Sequence, residues 1–181
     1  MTLKIFQTKR HLLAFFMPGF LFGVVYVNLI AKKYIAEPGI FSDYFLNQFQ
    51  TAKIAAEEYF WYLFRLRVIP FLVLLGLSFT KMRKIAAVLF LVWTGISGGI
   101  LISTAVISMG IKGSLLCIVG ILPQFVFYVP AYLILIWYCY SYPKSQWNRQ
   151  KAVFAALAVS VGMILEIFVN PSLVRAFLST L

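Results

Sequence analysis

Acidic side chains are scarce in this sequence, with five Asp and Glu among 181 residues against sixteen Lys and Arg. No paired-carboxylate pattern occurs, which leaves acid–base hydrolysis of the two-carboxylate kind without its residues. Histidine occurs once, as His11 beside Lys9 and Arg10, with no catalytic partner in reach. Ser103, Thr104 and Ser108 have no nearby His or Lys to activate a hydroxyl, and no H-E-x-x-H motif exists. Cys117 and Cys139 are the only cysteines, and their spacing suits neither a zinc site nor a secreted disulfide framework. They read as buried free thiols. No internal repeat and no low-complexity run occurs. The sequence therefore predicts no enzyme, no cofactor and no metal.

Apolar residues make up 62% of the chain and the mean hydropathy is +0.93, far above the globular norm of about half apolar. The chain reads as an integral membrane protein. The longest polar stretch, 32–67, is shorter than an independent domain, so 1–181 is expected to form a single membrane domain. The net charge of +11 comes from basic residues scattered in short loops, a distribution that suits membrane orientation and not nucleic acid. Hydrophobic windows predict an all-α bundle of about five transmembrane helices, near 12–31, 62–80, 85–111, 114–140 and 152–174. The first is too long for a signal-peptide core and lacks a small-x-small site before Lys32, so it is read as a span. The second spans only if Arg65 and Arg67 snorkel toward the interface. In the fourth, Pro123 and Pro130 are expected to disturb the helix, and Pro123 to end or kink it.

With the N-terminus in the cytoplasm, the inner cations are Lys4, Lys9, Arg10, Lys81, Arg83, Lys84, Lys144, Arg149 and Lys151. The outer set is Lys32, Lys33, Lys53, Arg65, Arg67, Lys112 and Arg175. The balance favours an inner N-terminus. Between the first two spans, 32–61 carries Phe41, Phe45, Phe49, Ala52, Ala56 and Phe60 at helical spacing after a Pro38-Gly39 turn. This predicts an interfacial amphipathic helix. Its polar face, with Glu57 and Glu58, either lies in the outer interface or docks an external partner, for which Phe41, Phe45, Glu57 and Glu58 are the candidates.

Several polar and small residues within the spans call for packing. Gly19 and Gly23 form G-x-x-x-G, and Gly95, Gly98, Gly99 and Ser103 offer a second small face. Glu166 is the one acid deep in a span, with Asn170 a turn later and Gly162 a turn earlier. A mid-membrane carboxylate needs a partner, for which Gln124 and an interfacial Arg are the candidates. A proton or ion relay is the other reading of Glu166, although no other span supplies a carrier. Aromatic clusters at Tyr59–Tyr62 and around Tyr138, Tyr140, Tyr142 and Trp147 read as interfacial belts.

The motif order resembles the bacterial stage II sporulation protein M family over nearly the whole chain. The quoted motifs are Phe22-Gly23-Val24-Val25-Tyr26-Val27-Asn28, Met109-Gly110-Ile111-Lys112-Gly113, Leu122-Pro123-Gln124 with Pro130, and Glu166-Ile167-Phe168-Val169-Asn170-Pro171. Asn170 stands where that family carries a small hydroxyl residue. The resemblance implies a non-enzymatic scaffold in the bacterial cytoplasmic membrane, at the sporulation septum or engulfing membrane. It would recruit peptidoglycan-degrading partners resembling stage II sporulation proteins D and P. Two other classes fit the residues: an accessory subunit of a transporter or exporter, and a membrane immunity protein.

Overall fold

The structure, a computed structural model, describes residues 2–30, 42–51 and 55–180. Every regular element among them is helical. The order is α1 (Thr2–Leu29), α2 (Asp43–Thr51), α3 (Ala56–Leu63), a π-turn (Phe64–Val68), α4 (Ile69–Ser78), α5 (Arg83–Met109), α6 (Ile111–Ser141), α7 (Arg149–Ile164), a second π-turn (Leu165–Val169) and α8 (Asn170–Leu178). Four helical runs are long and apolar enough to cross a membrane: Glu57–Ser78, Arg83–Met109, Ile111–Ser141 and Arg149–Leu178. A shorter apolar helix covers Ala14–Leu29.

Local chemistry sets several boundaries. Ser42 starts α2, its Oγ accepting the Phe45 amide at 3.3 Å, and Asn148 starts α7, its Oδ1 accepting the Lys151 amide at 3.2 Å. Gly110 separates α5 from α6 with φ of 62°, a left-handed conformation that glycine adopts without a Cβ clash.

Two expectations need correction. Of the two outcomes expected at Pro123, an end or a kink, the end does not occur: α6 runs unbroken for 31 residues through both Pro123 and Pro130. The ordered turns on either side carry the helix past each missing amide hydrogen, as packed membrane helices can. The second helical run also begins earlier than residue 62. Glu57, Glu58 and Phe60, assigned from sequence to a separate amphipathic helix, lie in α3 and continue directly into α4. No glycine or proline interrupts 55–69, so a helix started at Ala56 propagates through the π-turn into α4. Of the expected amphipathic segment, the part that forms a separate described helix is α2, and Phe41 lies outside the described residues.

The helices gather into two compact groups. The first contains α1, α2, α5 from Leu89, α6 up to Gly120 and the end of α8 from Leu173. Here the two small-residue faces meet. A Cβ on Gly19 would stand 2.5 Å from the Val92 carbonyl oxygen, and one on Gly23, Gly95 or Gly99 would likewise strike backbone of the facing helix. The contacts ascend together, Gly19 with Val92 and Gly23 with Ile96, so α1 and α5 run parallel with their backbones touching.

The second group contains α3, α4, the start of α5, α6 from Ile121, α7 and α8 as far as Ser172. Its core is built from Leu63, Phe71, Leu74, Leu135, Ile136, Cys139, Ala155 and Met163, all buried. Cys117 and Cys139 are buried free thiols, as the sequence predicts. The outer faces stay apolar: Leu72, Trp93, Val126, Leu157, Ile164 and Phe168 are each more than half exposed. A surface this apolar belongs in lipid. The chain is thus an all-helical protein with the character of a multi-pass membrane protein.

Candidate functional site: an ion pair between two widened turns

Arg67 and Glu166, 99 positions apart in sequence, face each other from the two π-turns. Each turn is widened by one residue, so that the Ile69 amide reaches back to the Phe64 carbonyl and the Asn170 amide to the Leu165 carbonyl. Proline accounts for the placement. Pro70 and Pro171 each follow the end of their π-turn by two residues. Proline cannot donate to the carbonyl four residues earlier and its ring clashes with it. That carbonyl belongs to Leu66 in one case and Ile167 in the other, both inside the widened turns. Proline alone is not sufficient, since Pro18, Pro123 and Pro130 lie within α-helices.

The pair is close to bidentate. Arg67 Nη2 donates to Glu166 Oε1 at 2.6 Å, and Arg67 Nε donates to Oε1 at 3.3 Å and to Oε2 at 3.1 Å. Tyr128 of α6 donates its hydroxyl to Glu166 Oε2 at 2.9 Å, and its ring centroid lies 5.4 Å from the Arg67 guanidinium carbon. Tyr132, one turn further along α6, donates to the Arg67 backbone carbonyl at 3.0 Å and packs edge-on against Phe71. The Glu166 side chain is 5% exposed and that of Arg67 29%. Gly162, one turn before Glu166, gives the tyrosine its room: a Cβ there would stand 2.7 Å from Tyr128 Cε1.

Three helical runs therefore converge on one carboxylate. Both of its oxygens already accept hydrogen bonds, and the guanidinium neutralises its charge. The arrangement suits a cross-brace that fixes α4, α6 and α8 relative to one another within the second group.

The structure confirms the need for a partner to Glu166 and names it as an Arg. Arg67 does not snorkel away as the sequence reading supposed; the wider turn and the buried carboxylate draw it inward. Arg65 is exposed. Gln124 is buried on α6 one turn before Tyr128, whereas the donors reaching Glu166 are Arg67 and Tyr128. The Oδ1 of Asn170 is buried and accepts from no described residue, and the π-turn displaces Asn170 from the regular α-helical turn expected after Glu166. Pro130 lies between Tyr128 and Tyr132 in sequence. Gly19 and Gly23 belong to the α1–α5 contact, and Asn28 is satisfied locally, Nδ2 donating to the Val24 carbonyl at 2.8 Å. Phe45, Glu57 and Glu58 are exposed. The tyrosines and prolines of the site escaped sequence reasoning. One available signal was the recurrence of proline three or five residues after a charge within an apolar run, at Arg67–Pro70 and Glu166–Pro171.

Comparisons with protein-family models, with curated proteins and with solved structures give no match for this chain. The resemblance to stage II sporulation protein M thus rests on the quoted motifs alone.

Proposed function

We propose that the protein is a non-catalytic, multi-pass membrane scaffold that presents an outer face to peptidoglycan-degrading partners. The observation that carries this reading is the closed state of its one deep carboxylate. A proton or ion carrier needs a group that exchanges its ligand, and Glu166 is held by Arg67 and Tyr128 at once. A brace of this kind holds a shape.

The face to be held lies at the start of α3. Glu57 and Glu58 are exposed there, next to exposed Phe60, Trp61 and Tyr62. Exposed aromatics are enriched in protein interfaces, and Glu57 and Glu58 beside them would complement a basic partner surface. The partner class, hydrolases resembling stage II sporulation proteins D and P, follows from the motif resemblance. So does the bacterial cytoplasmic membrane as the location. Five spans with a cytoplasmic N-terminus are part of the proposal. The parallel packing of α1 on α5 supports a crossing by α1 in the same direction as α5, which calls for one return crossing in the intervening sequence, by Glu57–Ser78.

The double variant Arg67→Leu/Glu166→Leu separates this reading from a transporter. It removes both charges and keeps apolar packing, so a scaffold should still insert and still recover its hydrolase partner in a pull-down. Glu57→Gln/Glu58→Gln should insert normally and lose most of that recovery. A correctly inserted Leu pair without function, alongside unaffected recovery by the Glu57 and Glu58 variant, would replace the scaffold by a transporter.

A further inference from the structure

No Asp or Glu occurs anywhere between Glu58 and Glu166. The end of the second group formed by the α4–α5 turn and the α6–α7 loop nevertheless carries Lys81, Arg83, Lys84, Lys144, Arg149 and Lys151. Both segments belong together. Tyr138 packs against Phe79 at 6.1 Å, Tyr142 at 6.2 Å and Trp147 at 5.6 Å between ring centroids, and Arg83 lies over the Tyr142 ring at 3.5 Å. Such an aromatic cluster marks the headgroup level of a bilayer. Lys151 is committed to the loop, its Nζ donating to Ser145 Oγ at 2.6 Å and to the Gln146 carbonyl at 2.7 Å. Arg149 and Lys144 remain exposed. Among the described residues neither forms an ion pair.

Beside Arg149 an open, shallow groove of about 440 Å³ lies along one face of α7, walled by that helix alone through Arg149, Gln150, Val153, Phe154 and Leu157. Its polar end is at the loop. The next two turns are apolar, and Val153, Phe154 and Leu157 stay largely exposed. From Arg149 to Leu157 the helix rises about 12 Å, from headgroup level into the acyl region.

We propose that this groove binds an anionic phospholipid, with the phosphate on Arg149 and an acyl chain along Val153, Phe154 and Leu157. Cation at one end and apolar wall below match the two halves of such a lipid. A docked acidic protein would use the cations and leave the apolar wall without a role. Lys144 adds to the field around the phosphate, and the brace from Lys151 keeps the loop in place above the groove.

The test uses the full-length protein in detergent, with added phosphatidylglycerol or phosphatidylcholine of the same chains and retained lipid counted by native mass spectrometry. Phosphatidylglycerol should be retained preferentially. Arg149→Gln should lower its retention about fivefold, as loss of one surface cation predicts. Leu157→Trp, which fills the groove and leaves every charge in place, should lower retention of phosphatidylglycerol by a similar factor. Lys84→Gln changes the same charge outside the groove and should alter retention by less than about twofold. Equal retention of the two lipids, or equal losses for Arg149→Gln and Lys84→Gln, would overturn the site in favour of diffuse surface charge. An unchanged Leu157→Trp variant would also overturn it.

Discussion

A lone charged side chain deep in a membrane helix costs about 2.5–3.5 kcal/mol on insertion scales, so Arg67 and Glu166 are each tolerable chiefly because of the other. Removing one should be worse than removing both. Arg67→Leu strands a carboxylate that is 5% exposed and should destabilise the protein by about 3–5 kcal/mol, read from thermal melting in detergent, while Arg67→Leu/Glu166→Leu should recover most of that loss. Because the partner is a cation, Glu166→Gln keeps the shape but abandons the guanidinium, and it should melt nearer to Glu166→Ala than to the native protein. Tyr128→Phe deletes one hydrogen bond to the carboxylate and should cost about 1 kcal/mol, a typical value between membrane helices. Gly162→Ala should match or exceed it by pushing the ring of Tyr128 away from Glu166.

At the scale of an element, the π-turns carry the charges to their meeting point. Pro70→Ala restores an amide hydrogen and removes the ring clash, so the turn can tighten to the α-helical pattern and rotate Arg67 relative to α6. The coupling between positions 67 and 166, measured by a double-mutant cycle, should fall by more than half in that background. An unchanged coupling would mean that packing, not proline, sets the turn. The α1–α5 contact makes a separate demand. Leucine at Gly23 or Gly99 puts a side chain where backbone now sits, and either change should detach α1, seen as faster proteolysis of the N-terminal helix.

For the whole molecule, the proposed topology rests on direction and charge together. α1 and α5 run parallel, so their starts belong on one side, and Lys81, Arg83 and Lys84 lie at the start of α5. Drawing Arg67 inward to Glu166 takes it out of the outer set of loop cations and widens the inner excess. A cysteine placed at Lys84 should therefore be protected from a membrane-impermeant label added outside, and one placed at Asp43 should react. The reverse pattern would invert the proposed orientation.

Composition and hydropathy by themselves determined that this chain is helical and suited to a membrane, because apolar runs of about 20 residues without the alternation of barrel strands satisfy their backbone in lipid only as helices. The last three spans were legible to within a few residues, and the small faces on Gly19, Gly23, Gly95 and Gly99 were visible as candidates for close packing. So was the need of Glu166 for a partner, since an isolated intramembrane carboxylate is unfavourable in any fold. Only the tertiary structure decided which partner. Arg67 is remote in sequence, and it reaches Glu166 through a turn widened by one residue, a change of backbone bonding that hydrophobic periodicity does not register. The same holds for Tyr128 and Tyr132, which look like ordinary aromatics until α6 is laid against the two π-turns. Proline shows the limit most plainly: Pro70 and Pro171 accompany widened turns, while Pro123 and Pro130 sit in an unbroken helix, and the residue type alone does not tell the two cases apart.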